Sequence, residues 1–140
     1  MAYKINFETD SKHEDIQILN DGIKEHMLTK RNLKPISSFS YFIRDDSGKI
    51  VGGCHGDLFF GSVYVGSLWV AESLRGQGYG TKLMQAAEAF TNENVCNFIA
   101  VNTMDWEALD FYKKLGFYVE LERKGFDKGS IFYFLRKDLK

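Results

Sequence analysis

Leu68-Trp69-Val70-Ala71-Glu72-Ser73-Leu74-Arg75-Gly76-Gln77-Gly78-Tyr79-Gly80-Thr81-Lys82 passes from a β-favouring segment, through three alternate glycines, into residues that suit a helix. Glycine lacks a Cβ, so the backbone at Gly76, Gly78 and Gly80 can curl and turn several N–H groups inward. With the positive end of the following helix, those amides form an anion site suited to phosphate groups. Arg75 adds a cation. Two common phosphate motifs do not fit. A P-loop counted from Gly76 would need its second glycine at Thr81, and no Gly-Lys pair is followed by Ser or Thr. A GxGxxG dinucleotide fingerprint also needs glycine at 81, and a place after the first strand of a βαβ unit. A tight turn without a ligand leaves the glycines and Arg75 unexplained.

Upstream of this loop the chain reads as strands. Ser38–Arg44, Lys49–Phe60 and Ser62–Val70 are separated by short turns, one of them Asp45-Asp46-Ser47-Gly48. Three such segments form an antiparallel meander. Gly52, Gly53 and Gly56 inside the second segment predict a bulge or close backbone approach. Before the meander, Tyr3, Ile5 and Phe7 alternate with Lys4, Asn6 and Glu8 and predict a half-buried strand. Ser11 and Glu14 have capping-box spacing, and Ile16, Leu19, Ile23 and Met27 place a helix over about 12–29. Downstream, a helix over about 78–93 carries Leu83, Ala87 and Phe90, and 95–102 is a β-branched strand. Asp105 is placed to cap a helix ending at Gly116, a C′ glycine. Strands at 117–125 and 130–137 flank Asp127-Lys128-Gly129, a hairpin turn. The expected fold is α/β (α+β), a mixed and largely antiparallel sheet of about seven strands flanked by three to four helices.

Composition narrows the function. The chain has 140 residues, the size of one domain, with Lys plus Arg at 18, Asp plus Glu at 19 and a formal charge of −1. That balance argues against nucleic acid as a partner, which calls for a basic footprint. The longest apolar runs are far short of the roughly 20 residues of a membrane span. The N-terminal stretch has no apolar segment of the signal-peptide kind. Two cysteines, Cys54 and Cys96, are too few for a disulfide framework and read as small core residues of a reduced, cytoplasmic protein. His13, His26 and His55 lack metal-ligand spacing, so no metal is expected.

Arg75-x-x-Gly78-x-Gly80 resembles the [RQ]-x-x-G-x-[GA] signature of the GCN5-related N-acetyltransferases (GNAT). Leu68-Trp69-Val70 is similar to that family's pantetheine-binding strand. Ala108-Leu109-Asp110-Phe111-Tyr112-Lys113-Lys114-Leu115-Gly116-Phe117, about 30 residues on, resembles its A-x-x-[FL]-Y-x-K-x-G-F segment, and the strand order matches along nearly the whole chain. The resemblance implies transfer of an acetyl group from acetyl-CoA to a primary amine of a small molecule or protein. A non-catalytic acyl-CoA sensor or assembly module with the same fold is the alternative it leaves open. It implies that the strands at 62–70 and 95–102 splay apart around the pantetheine arm. Backbone groups of Leu68 and Val70 would bond that arm, with Trp69 between them. The N–H groups of Arg75, Gly76, Gln77, Gly78, Tyr79, Gly80 and Thr81 would hold the pyrophosphate. Tyr112 falls where the family protonates the CoA sulfur. At Asp105 this chain departs from the family's asparagine, so a contact there with the cofactor arm competes with helix capping.

The chemistry itself adds constraints. An alkylamine has a pKa of ~10.4, so only about one molecule in 10³ is neutral at pH 7. A site must desolvate that amine or supply a base. An N–H aimed at the thioester oxygen, from Val70 by position, would stabilise the oxyanion. Ser62–Val70 holds no acid. Glu72 is close, but beside Arg75 it reads first as half of a loop ion pair. His55 and Asp57 share one face of their strand. These three are the base candidates, with a water relay or no dedicated base as the alternatives. Phe39, Tyr41, Phe42, Phe59, Phe60 and Tyr64 are candidates to line an aromatic acceptor pocket, and Trp69 and Trp106 read as packing groups, with a place at the border of the acceptor site as the alternative for either. The last hairpin carries Phe117, Val119, Leu121, Phe126, Ile131, Tyr133 and Leu135, with Phe132 and Phe134 on the other face. A strand apolar on both faces is normally covered on both, which predicts a homodimer.

Overall fold

The structure, a computed structural model, describes residues 2–140. The described residues divide into two compact units, 2–35 and 36–140.

The first unit is built on helix α1 (His13–Arg31). Glu14 and Asp15 in its first turn and Lys30 and Arg31 in its last oppose the helix dipole. The capping box expected from Ser11 is not formed: the N-cap is Lys12, without a side-chain cap. Asn32 ends the helix in the left-handed region, its N–H bonded to the Leu28 carbonyl at 3.0 Å. The strand expected at Tyr3–Glu8 is absent. Alternation specifies a face but not a partner, and no described residue pairs with this segment.

The second unit holds one six-stranded sheet in the order β1-β2-β3-β4-β6-β5. Its strands are β1 (Ser37–Arg44), β2 (Ile50–Phe59), β3 (Ser62–Val70), β4 (Phe98–Met104), β5 (Tyr118–Arg123) and β6 (Phe132–Asp138). The count is six, not seven, because the N-terminal strand is missing. Every pairing is antiparallel except β3 with β4. The α-helices number three among the described residues: α1, α2 (Tyr79–Glu93) and α3 (Leu109–Lys114).

Helix α2 lies on one face of the sheet through Leu83, Met84, Ala87 and Thr91. That face supplies Cys54, Val63, Val65, Ile99, Val101 and Leu135 to the core. Phe39 stacks on Phe90 with centroids 4.4 Å apart, so Phe39 and Tyr41 are core groups, not pocket linings. Cys54 and Cys96 are buried and unpaired. The β2 glycines act through close approach. A Cβ on Gly53 would lie 2.6 Å from the Tyr41 carbonyl, and one on Gly56 would collide with the Tyr64 carbonyl. Helix α3 closes with a Schellman motif: the Gly116 N–H bonds Lys113 and the Phe117 N–H bonds Tyr112, with Gly116 at φ +96°.

The final hairpin differs from its sequence pattern. Phe117 and Leu135 are buried, and Val119 and Tyr133 pack on the core. The apolar groups left open to solvent there are Tyr118, Leu121 and Phe126. Phe126, Phe132 and Phe134 form an edge-to-face chain with Arg123 over Phe134.

Candidate active site

Strands β3 and β4 run parallel only over Ser62–Val65 and Phe98–Val101. Beyond that point they part. Residues 67–70 of β3 pair with β2 alone, and Asn102–Met104 of β4 pair with β6 alone. Gly66 is the extra residue of a bulge, since His55 faces Ser67 while Gly56 faces Val65. The opening is a cleft of about 280 Å³ passing through the sheet. Val65, Leu68, Thr103, Ala108 and Tyr112 line it from the α2 side, and Tyr64, Asn102 and Phe132 from the other. Asn102 Nδ2 donates to Tyr64 Oη at 2.9 Å, bridging the strands where they separate.

The open edge of β3 carries unpaired main-chain groups. The Ala71 N–H bonds the Val51 carbonyl, so odd-numbered residues at this end turn toward β2. Leu68 and Val70 therefore direct their N–H and C=O toward the cleft. Arg75 Nε donates to the Val70 carbonyl at 3.0 Å. This replaces the expected ion pair with Glu72 and ties the loop to the end of β3.

The glycine loop forms a second hollow of about 390 Å³. After the Arg75 N–H, which bonds Glu72, the next main-chain donor with a partner is Lys82, bonded to Gly78. The six N–H groups of Gly76–Thr81 make no main-chain bond among the described residues. Gly76 at φ +77° and Gly78 at φ +85° need glycine for their conformation, and a Cβ on either would meet nothing within 4 Å. Gly80 has an ordinary φ, and its Cβ would lie 3.3 Å from the Phe111 ring. An exposed row of unpaired amides at a helix N-terminus is a site for anionic oxygens, so the cradle fits a diphosphate.

Tyr112 has its ring in the core, edge-on to Phe111 and Phe117, and 5% of it is exposed. Its hydroxyl is not sealed, because no buried side-chain polar atom lacks a partner among the described residues. It opens on the cleft. Burial, with smaller contributions from Glu107, Cys54 and Tyr64, pushes its pKa up to about 12. The phenol is a proton donor at neutral pH.

The remaining candidates are scattered. Glu72 is exposed on the 3₁₀ turn Glu72–Leu74. His55 is on the sheet face away from α2, with Nδ1 2.7 Å from Ser40 Oγ, and it does not line the cleft. Asp57 is on that same face, beside Tyr64 across the β2–β3 ladder. Asp105 neither caps α3 nor faces the cleft. Its N–H bonds the Ile131 carbonyl at 2.9 Å and its carboxylate accepts the Ile131 N–H at 3.2 Å, clasping the end of β4 to the start of β6. The α3 N-cap is Ala108, whose N–H bonds Thr103 Oγ1. Trp69 and Trp106 are 53% and 69% exposed, so neither is a packing group. Sequence reasoning missed the Asn102–Tyr64 bridge and Glu107, which lines the cleft with its carboxylate on the Met104 N–H. Partners 38 residues apart on splayed strands leave no local signal. Among the described residues no three His, Cys, Asp or Glu side chains group to hold a metal, and no helix is long and apolar enough to cross a membrane.

Residues 37–119 match the family model described as "Acetyltransferase (GNAT) domain". An acetyltransferase of Agrobacterium fabrum is 37% identical over 117 residues, 84% of each chain. The chain belongs to the GNAT family of acetyltransferases. The blasticidin-S acetyltransferase of Streptomyces morookaense is 28% identical over 107 residues, 76% of this chain and 79% of that protein. The crystal structure of an acetyltransferase from Bacillus cereus superposes with a TM-score of 0.77 at 31% identity, covering 96% and 98% of the two chains. This GNAT chain is an acyl-CoA-dependent N-acetyltransferase, and the family's acetyl donor is acetyl-CoA.

Proposed function

We propose that the chain, acting as one catalytic domain, moves the acetyl group of acetyl-CoA to the primary amine of a small-molecule acceptor by direct attack. The observation that carries this reading is the adjacency of six free N–H groups, an unpaired β3 edge and the Tyr112 hydroxyl along one path. Acetyl-CoA supplies the activated thioester. The amides of Gly76–Thr81 hold its diphosphate, and Leu68 and Val70 bond the pantetheine arm as an added strand does. The Leu68 N–H, at the cleft with Tyr112 while Val70 lines the glycine-loop hollow, polarises the thioester carbonyl, and the Tyr112 hydroxyl gives its proton to the departing sulfur. The amine enters from the face of Tyr64 and Asn102. Asp57, beside Tyr64, is the base candidate nearest that entrance, directly or through water. The carboxylate of Glu107 at the cleft draws a cationic amine toward it.

A relative named for a small antibiotic supports a small-molecule acceptor over a protein one. Free, buried Cys54 and Cys96 fit a reducing cytoplasm. The test is thiol release from acetyl-CoA against a panel of primary amines, alongside thermal shift with CoA. Release with at least one small amine is expected. A CoA-induced shift without release on any amine means the chain senses acyl-CoA instead.

The reading includes a homodimer. Tyr118, Leu121 and Phe126 are exposed beside the Phe132–Phe134 chain, and apolar patches of this kind mark interfaces. Sedimentation at micromolar concentration should show twice the 16.1 kDa chain mass, and a monomer alone would refute the pairing.

A further inference from the structure

On the sheet face turned away from α2, one cross-strand row reads Phe42, Gly53, Trp69 on β1, β2 and β3. The next row on that face is Ser40, His55, Ser67. Gly53 leaves the centre of the first row without a side chain, and the rings flanking it are 54% and 53% exposed. The empty centre is enforced by the sheet. A Cβ at Gly53 would lie 2.6 Å from the Tyr41 carbonyl and 3.1 Å from the Phe42 ring. With strands about 4.8 Å apart, the flanking Cα atoms are about 10 Å apart. The result is a slot of about 180 Å³ walled by apolar groups, with His55 at one end, its Nδ1 held by Ser40. An apolar cavity of about 150 Å³ takes one benzene molecule, so the slot has the volume of a single ring.

Resting on the amine-acetyltransferase reading above, we propose that this slot holds a planar aromatic or heteroaromatic ring of the amine acceptor. Successive residues of a strand point to opposite faces, so β3 can present the edge of Leu68 and Val70 to the acyl donor and the Trp69 ring to the acceptor. From Trp69 back to Gly66, where the cleft begins, is three residues, about 10 Å. The attacking nitrogen needs to come only within about 3–3.5 Å of the carbonyl, so ring and arm together span about 7 Å, and an arm of about four or five bonds suffices. Aromatic walls favour a flat ring over an equally bulky saturated one, because ring faces and edges attract one another.

Two probes separate flatness from bulk: 4-phenylbutylamine and 4-cyclohexylbutylamine. At saturating acetyl-CoA, KM for the phenyl amine should be lower by about fivefold or more, and Phe42→Ala and Phe42→Leu should erase that preference. Occupancy is also read without turnover. In Trp106→Phe protein the emission of Trp69 reports the slot, and the phenyl amine should change it saturably at about fivefold lower concentration than the cyclohexyl amine. Equal affinities by both readouts, or a preference that survives both Phe42 variants, overturns the slot. Thiol release with both amines but no preference for either removes the slot and leaves acetyl transfer standing. A fluorescence preference without thiol release on any amine keeps the slot and removes acetyl transfer.

Discussion

Tyr112→Phe should lower kcat about 10²-fold, close to 2.7 kcal/mol of lost transition-state stabilisation, with CoA affinity nearly unchanged. The ring does the packing and the hydroxyl meets the cleft. Phenylalanine keeps the edge-on contacts to Phe111 and Phe117. Because the hydroxyl has no protein partner, its removal leaves no buried group unsatisfied, and stability should move by less than about 1 kcal/mol. The pH dependence follows from the pKa of about 12. The phenol stays protonated through the neutral and mildly alkaline range, so this group gives kcat no alkaline limb below about pH 10. Its effect on stability has a definite sign. A folded-state pKa above the unfolded value of about 10 gives stability that is complete below pH 10 and is lost as pH rises toward 12. The Phe variant should lack that alkaline loss. Unchanged kcat with a panel amine would return Tyr112 to a purely structural role.

What was legible in the sequence tracks the range of the physics involved. The glycine loop could be read because a left-handed backbone needs glycine locally, and Gly76, Gly78 and Gly116 have positive φ. The meander and α2 could be read because alternation and helical spacing are imposed within a few residues. Asp105 was misread because a capping residue and a loop clasp share a side chain, and only the fold brings Ile131 to it. Tyr3–Glu8 alternates correctly but has no partner, and a strand exists only through its ladder. The aromatic candidates divide for a related reason. Phe39, Tyr41 and Phe42 are neighbours in sequence, yet alternation sends the first two to the core and the third to the slot. The three base candidates rest on nearness in sequence for Glu72 and on a shared strand face for His55 and Asp57, and neither fixes distance to the cleft, whose lining includes none of them. Glu107 entered it instead because α3 begins three residues later than the capping pattern suggests.

Gly78→Val should weaken CoA binding at least about tenfold, or 1.4 kcal/mol, in a protein that still folds. The cause is conformational. Gly78 sits at φ +85° and a Cβ there meets nothing within 4 Å, so the valine side chain has room. The obstacle is the left-handed backbone, which costs an L-residue about 1–2 kcal/mol and a β-branched one the most. The chain relieves that strain by rotating the peptides on either side. Those peptides carry N–H groups of the unpaired row, so relief turns donors away from the diphosphate. Folding survives because Gly78 is exposed and precedes the buried part of α2, which begins at Leu83. The conformational account also fixes an order. Asparagine tolerates the left-handed region better than other residues with a Cβ, so CoA affinity should fall from glycine to asparagine to valine at 78. Gly80→Ala behaves differently: its Cβ presses the Phe111 ring at 3.3 Å, so its first effect is on packing between α2 and α3. Titration of CoA into each folded variant, with urea denaturation beside it, separates the two. Wild-type CoA affinity in folded Gly78→Val would mean that this loop does not hold the diphosphate.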